Sequence, residues 1–298
     1  MAAKIVAMMN QKGGVGKTTA TVNIGAFLAR ENHKRVLLVD IDPQGSLSEH
    51  VGLPPRDNED SIYDVLIEGV DPRRIIRRVR GFEVLPANRD LSGADLELAR
   101  LPNWHLRLRD ALAGIRGQYD FILMDYPPGL GVLTVSGLAA SDVVVVPMEA
   151  EYLALHGMSQ LLDTVAQVRD RLNPGLEIGG IIFCRFDGRT TLARDVKAEI
   201  DKYFPGKVFA TAVRQNIKLA EAPSHRLTIC EYDPKSPGAE DYRRVAAEFL
   251  TRFGSPGPAG CGTGAGAIIP PGDIMAETPI VPDEATGRGE WQRQPVWR

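Results

Sequence analysis

Cysteine is scarce in this chain. Cys184, Cys230 and Cys261 are odd in number and far apart, which excludes a disulfide framework and a Cys-x-x-Cys metal site and fits a reducing cytoplasm. No apolar run reaches membrane-spanning length, and there is no amphipathic, lysine-rich segment of the kind that lies in a membrane surface. No membrane partner is therefore expected. A formal net charge of −3 leaves little excess of either sign. Attraction to nucleic acid would have to come from a local patch. Heptads and internal repeats are missing as well, which removes coiled coils and solenoids from consideration.

What remains is an ordinary globular composition, 44% hydrophobic and 24% charged over 298 residues, enough for one large α/β domain. Apolar runs at 5–9, 35–40, 83–86, 121–124, 143–147 and 178–184 read as strands, with a short extended piece at 208–211. Segments with helical spacing lie between them, at 20–30, 61–68, 92–101, 104–115, 152–172, 192–203 and 239–253. Strands separated by helices predict parallel βαβ units and a central sheet covered on both faces. Beyond residue 253 the sequence turns rich in Gly and Pro and loses its period. Residues 1–253 are thus expected to form one folded domain, and 254–298 a disordered tail.

The segment Gln11-Lys12-Gly13-Gly14-Val15-Gly16-Lys17-Thr18-Thr19 falls between the first strand and the first helix. That context gives a phosphate-binding loop its mechanism. Glycines tolerate the dihedrals that turn backbone N–H groups inward onto phosphate oxygens. The helix contributes its positive end, Lys17 reaches the β- and γ-phosphates, and the Thr18 hydroxyl ligates Mg²⁺. The usual spacing would put glycine at position 11; Gln11 stands there instead, with a second cation, Lys12, beside it. Asp40 and Asp42 follow the second strand, at the edge of a parallel sheet where ligands bind. They could hold the metal shell or orient an attacking water, or else cap a turn and stay solvated. Asp125 ends the apolar run FILMD, the usual place for a second Mg²⁺-associated carboxylate in P-loop NTPases.

These residues together resemble the ParA/MinD family of P-loop ATPases with a deviant Walker A motif, and within it the Soj-type chromosome-partitioning ParA proteins. The matching stretches are NQKGGVGKTT, VLLVDIDPQGS, LPANRDLSGADLELA, the turn at Asp125-Tyr126-Pro127-Pro128, EYLALHGMSQLL, RTTLARDV, NIKLAEAPSH and YDPKSPGAEDY. They span about residues 3–250. The resemblance implies an α/β P-loop NTPase fold with ATP and Mg²⁺ as cofactors. It also implies a homodimer with ATP sandwiched between subunits, in which Lys12 reaches the phosphates held by the other copy. Asp42 matches the position that orients the attacking water, and Asn216 the one that contacts adenine. Where the family often carries Pro-Arg-Asn, this chain has Arg214-Gln215-Asn216. Tyr126 stands where a smaller Thr or Cys is common.

The resemblance further implies non-specific DNA binding in the ATP state, release through hydrolysis stimulated by a ParB-like protein, and a cytoplasmic, nucleoid-associated location. Residues 185–252 hold 13 Lys/Arg against 10 Asp/Glu, a modest excess that must be gathered on one face to matter. Arg189, Lys218 and Arg226 are the candidates for DNA contact, with Arg194, Lys197, Arg243 and Arg244 as further basic positions. Arg73 to Arg80 forms an equally dense cluster that reads as an amphipathic edge segment. Two alternatives remain open: an orphan ParA-like ATPase that positions another cargo, and a nucleotide-switched scaffold with little hydrolysis.

Overall fold

The computed structural model describes residues 2–56, 59–151, 154–254, 280–282 and 291–293. Its body, Met1–Pro258, is built on seven strands: β1 (Lys4–Met8), β2 (Val36–Asp40), β3 (Arg77–Val79), β4 (Phe82–Leu85), β5 (Phe121–Asp125), β6 (Val143–Met148) and β7 (Glu177–Phe183). They lie side by side in the order β3-β4-β2-β5-β1-β6-β7. All neighbours are parallel except β3, which runs antiparallel to β4. This is the expected α/β fold.

Alternation along the strands explains the layers. Ile5, Ala7, Leu37, Val39, Ile122 and Met124 face one buried cluster, which includes Leu91, Leu112, Leu133 and Leu161. Their neighbours Val6, Met8, Leu38, Leu123 and Val145 face another, packed on Ile24, Phe27, Val245 and Phe249. Side chains two apart share a face, so a sheet apolar on both faces must be covered on both. The helix α1 (Lys17–Arg30) and the helix Pro237–Phe253 cover the second.

Several elements depart from expectation. Residues 92–101 form a 3₁₀ turn at Arg89–Gly93 running into a short helix, Ala94–Leu98. The helix expected over 152–172 is described as Ala154–Arg171. Val132–Ala140 is a helix that the sequence pattern did not reveal. Val208 makes a single parallel bridge to Ile181 rather than a strand. The arginine-rich cluster divides into a helical turn, Pro72–Ile75, and the edge strand β3. Most of the expected tail lies outside the described residues. Within it, Ile280–Pro282 pairs antiparallel with Trp291–Arg293 in a separate unit, Ala259–Arg298.

Candidate nucleotide site

The site forms where β1, β2 and β5 end together. Register sets Met8 beside Asp125 and Asp40 opposite Asp125, so two carboxyls meet on adjacent strands. Beyond β1 the chain turns through Gly14 at φ 77° and Gly16 at φ 88°, left-handed backbone that a side chain would strain. A Cβ on Gly13 or Gly14 would meet nothing within 4 Å, so the loop is open above both. The Asn10 side chain shapes it, donating to the Pro147 carbonyl at 2.8 Å and accepting from the Lys12 amide at 3.0 Å. The first turn of α1 carries no acidic residue and no side-chain cap. Its amides are left for an anion.

Lys17 is buried, and its ammonium donates to the Lys12 carbonyl at 3.1 Å. Burial lowers its pKa; Asp125 and Asp42 oppose that shift. The Thr18 hydroxyl donates to Asp125 at 2.6 Å, and Thr21 lies 3.4 Å from the other Asp125 oxygen. Asp125 is fully buried. Desolvation first, then the neighbouring Asp40, push its carboxyl up to about 8. Asp40, also fully buried, is pushed by desolvation to about 7, against hydrogen bonds from Ser48. Those bonds come from the Ser48 hydroxyl at 2.7 Å and its amide at 2.8 Å. Asp40 also accepts from the Asp42 amide at 3.2 Å, so it braces the loop behind Asp42. Asp42 itself is 8% exposed and accepts from the Gln44 amide at 2.9 Å.

Such a set fits a shared Mg²⁺. Among the described residues, no three His, Cys, Asp or Glu side chains are placed to hold a metal alone. Mg²⁺ typically takes one or two protein oxygens and completes its shell with phosphates and water. The Thr18 hydroxyl and the Asp125 carboxyl it bonds are of the type such a partial shell needs, and Lys17 is the cation that acts on Asp125. A cleft of about 550 Å³ lined by Lys4, Arg116, Asp142 and Lys207 lies at the opposite, amino-terminal ends of the strands and holds none of these groups.

The remaining candidates lie around this centre. Lys12 turns to its own chain, pairing with Glu151 and lying 3.7 Å from Glu149, which Arg185 approaches at 2.9 Å. Asn216 caps the helix Ile217–Glu221, its oxygen accepting from the Lys218 amide at 2.9 Å. Arg189 pairs with Asp187 and Lys218 with Glu221; Arg226 is exposed and carries left-handed backbone at φ 56°. Arg214 is tied to Asp241 and Glu240, which raises its pKa further, Asp241 contributing most. It therefore does not replace the arginine that the family often carries at the next position. Ser48, Glu149 and Glu151 were not singled out from sequence. Only Glu151 sat in a quoted motif, and nothing there linked it to Lys12.

A protein-family model described as an AAA domain matches residues 3–178. The sporulation initiation inhibitor protein Soj of Bacillus subtilis is 47% identical over 247 residues, 82% of this chain and 97% of that protein. The chain belongs to the ParA/MinD family of P-loop ATPases. The chromosome-partitioning ATPase Soj of Treponema pallidum is 45% identical over 253 residues, 84% of this chain and 98% of its own length. Among solved structures, cobyrinic acid a,c-diamide synthase from Mycobacterium smegmatis, with bound ADP and magnesium, superimposes with a TM-score of 0.74. It is 37% identical, covering 85% of this chain and 96% of that one. In family terms, the loop at 11–19 is the deviant Walker A motif.

Proposed function

We propose that this chain is a ParA-type ATPase of 1–253 residues followed by a Gly/Pro-rich segment. It dimerises around ATP and Mg²⁺, binds DNA without sequence preference in that state, and is released when a ParB-like protein stimulates hydrolysis. Its output is the partition of a chromosome or plasmid, in the cytoplasm and on the nucleoid. The observation that carries the reading is the second lysine, Lys12, beside a loop where Lys17, Thr18, Asp125 and Asp42 already converge. The partitioning names of relatives nearly half identical to the chain point the same way.

The chemistry follows from the geometry. Lys17 exchanges the Lys12 carbonyl for β- and γ-phosphate oxygens, joined by amides from Gly13, Gly14, Val15, Gly16, Thr18 and Thr19. When bound, Mg²⁺ would be held by the Thr18 hydroxyl together with the phosphates and would supply positive charge against that developing in phosphoryl transfer. Asp42, held by the Gln44 amide, orients water for in-line attack. Lys12 gives up Glu151 for the phosphates of the second copy, so hydrolysis and dimerisation are linked. Asn216 offers its Nδ2 to adenine. Arg189, Lys218 and Arg226 contact DNA phosphates, which makes retention steeply salt-dependent.

The M. smegmatis neighbour's name suggests amide synthesis. A synthase drawing nitrogen from glutamine would need a reactive thiolate. Cys184 lies against Gly16 and burial pushes its thiol up to about 12; Cys230 is raised by burial too. Burial therefore disfavours the thiolate at both; Cys261 lies outside the described residues. The deciding experiment is DNA co-sedimentation with ATP, ADP and no nucleotide, with ATP turnover measured in parallel with and without DNA. Retention that is equal in all three states refutes the reading, and so does turnover that stays at zero with DNA present.

A further inference from the structure

We propose that His50 and Asn23 are positioning residues that pass the state of the nucleotide loop to Arg226. The inference rests on reading Arg226 as a DNA-phosphate contact. It adds how that contact comes to depend on ATP.

Residues 216–232 carry Asn216, Lys218 and Arg226, and two buried side chains from nucleotide-binding elements hold this segment. The first is His50, 3% exposed, whose Nε2 lies 3.1 Å from the Leu227 carbonyl. A carbonyl only accepts, so Nε2 carries the proton and the ring is the neutral Nε2–H tautomer. Burial agrees, since it depresses the His50 pKa to about 4. The second is Asn23 of α1, 1% exposed. Its Nδ2 donates to the Thr19 carbonyl at 2.8 Å, and its oxygen accepts from the Ile229 amide at 2.8 Å. Each end of the amide is thus assigned, one to the phosphate loop's helix and one to the segment.

Arg226 directly precedes the first of these two anchored residues, Leu227 and Ile229. Its backbone is held at φ 56°, a conformation that a non-glycine residue keeps only when its surroundings impose it. The carbonyl tied to His50 belongs to the next residue. The space beneath it is Gly52, at φ 89°, where an added Cβ would sit 3.7 Å from the Arg226 Cβ.

His50 and Gly52 both follow directly from the Asp42 loop. Gly45, at φ 62°, starts a single helical turn, Ser46–His50. Ser48, in its middle, is bonded to Asp40 through both amide and hydroxyl. One short element therefore has Asp40 and Asp42 at one end and, at the other, the Leu227 carbonyl that directly follows Arg226. A shift of the loop when it meets a γ-phosphate moves both ends together, and a differential contact of this kind is what coupling between two sites requires.

The test measures DNA affinity of the full chain by fluorescence anisotropy in ATP and in ADP, for wild type, His50→Ala, His50→Gln, Arg226→Ala and the double variant His50→Ala/Arg226→Ala. ATP affinity is followed with a fluorescent analogue. His50→Ala is expected to lose about tenfold of the ATP-state DNA affinity, the scale of one buried hydrogen bond. His50→Gln, which keeps a donor, restores most of it. The double variant binds no more weakly than Arg226→Ala, because the two act as one unit. Should His50→Ala fail to fold, His50→Phe keeps a buried ring without the donor and carries the same expectation. Additive losses in the double variant, or DNA and ATP affinity falling together, overturn the inference. Wild type that shows no ATP-dependent DNA binding overturns the functional reading itself, a distinguishable result.

Discussion

Lowering the pH from 7 to 5 is expected to remove stability through His50, and the amount follows from its burial. The ring is buried and neutral, with its pKa moved from 6.5 to about 4 chiefly by desolvation. Above 6.5 the folded and unfolded chains are both unprotonated there, and His50 has no effect on the pH dependence. Between 6.5 and about 4 only the unfolded chain takes up the proton, so stability falls as pH falls. Each pH unit in that window is worth about 1.4 kcal/mol, so by pH 5 the loss is about 2 kcal/mol. Asp40 and Asp125 act with the opposite sign. Their raised values, about 7 and about 8, mean that the folded chain keeps protons the unfolded chain releases above 3.8, so without nucleotide they favour the fold as pH falls. The assay therefore compares urea unfolding of wild type and His50→Gln at pH 7, 6 and 5, so that the carboxyl contribution cancels. The gap between the two proteins should change by about 2 kcal/mol between pH 7 and 5. Parallel curves would refute the assignment of a buried, neutral imidazole.

Three further outcomes are expected. Asp42→Ala should lower stimulated ATP turnover by about a hundredfold or more while ATP binding persists; unchanged turnover removes its water-orienting role. Lys12→Ala breaks a half-exposed ion pair with Glu151, so unfolding free energy should change by less than about 1 kcal/mol, whereas ATP-dependent dimers, read by light scattering, should vanish. Gly137→Ala sets a methyl well inside contact distance of the buried Tyr126 ring and should destabilise by about 1–3 kcal/mol. Tyr126→Thr in the same chain should recover much of that loss, and thermal unfolding of the four proteins measures the coupling.

The phosphate loop was legible because its chemistry is local: glycines, two lysines and a threonine at fixed spacing between a strand and a helix. Asp125 was legible for a similar reason, as the polar end of an apolar strand. What joins Asp125 to Asp40 is register between β5 and β2, which no local pattern encodes. The same holds for Asn23 and His50, whose partners lie 206 and 177 residues away. The helix Val132–Ala140 escaped notice because most of it is buried, and a helix apolar on most sides has no 3.6-residue period to find. Charge counting, by contrast, carries no information on pairing. Of the basic positions singled out in residues 185–252, Arg189, Lys197, Lys218, Arg243 and Arg244 are each paired with a carboxylate. A surplus of three charges therefore says little about where a bare cation points.

The two edges of the central sheet are closed by different means. At one, β3 is three residues long, antiparallel to its neighbour, and two of the three are the exposed Arg77 and Arg78. Short, charged edges resist the addition of another strand. At the other, residues 207–213 run along β7 and use its outer hydrogen bonds: Ile181 donates to Lys207, Phe209 to Ile181, and Val213 to Phe183. Neither side offers a long bare strand on which a second sheet could grow. Continuous β-stacking of copies, the open-ended kind of association, is blocked by construction. The ATP-dependent dimer proposed above must therefore form through surfaces other than the edges of this sheet.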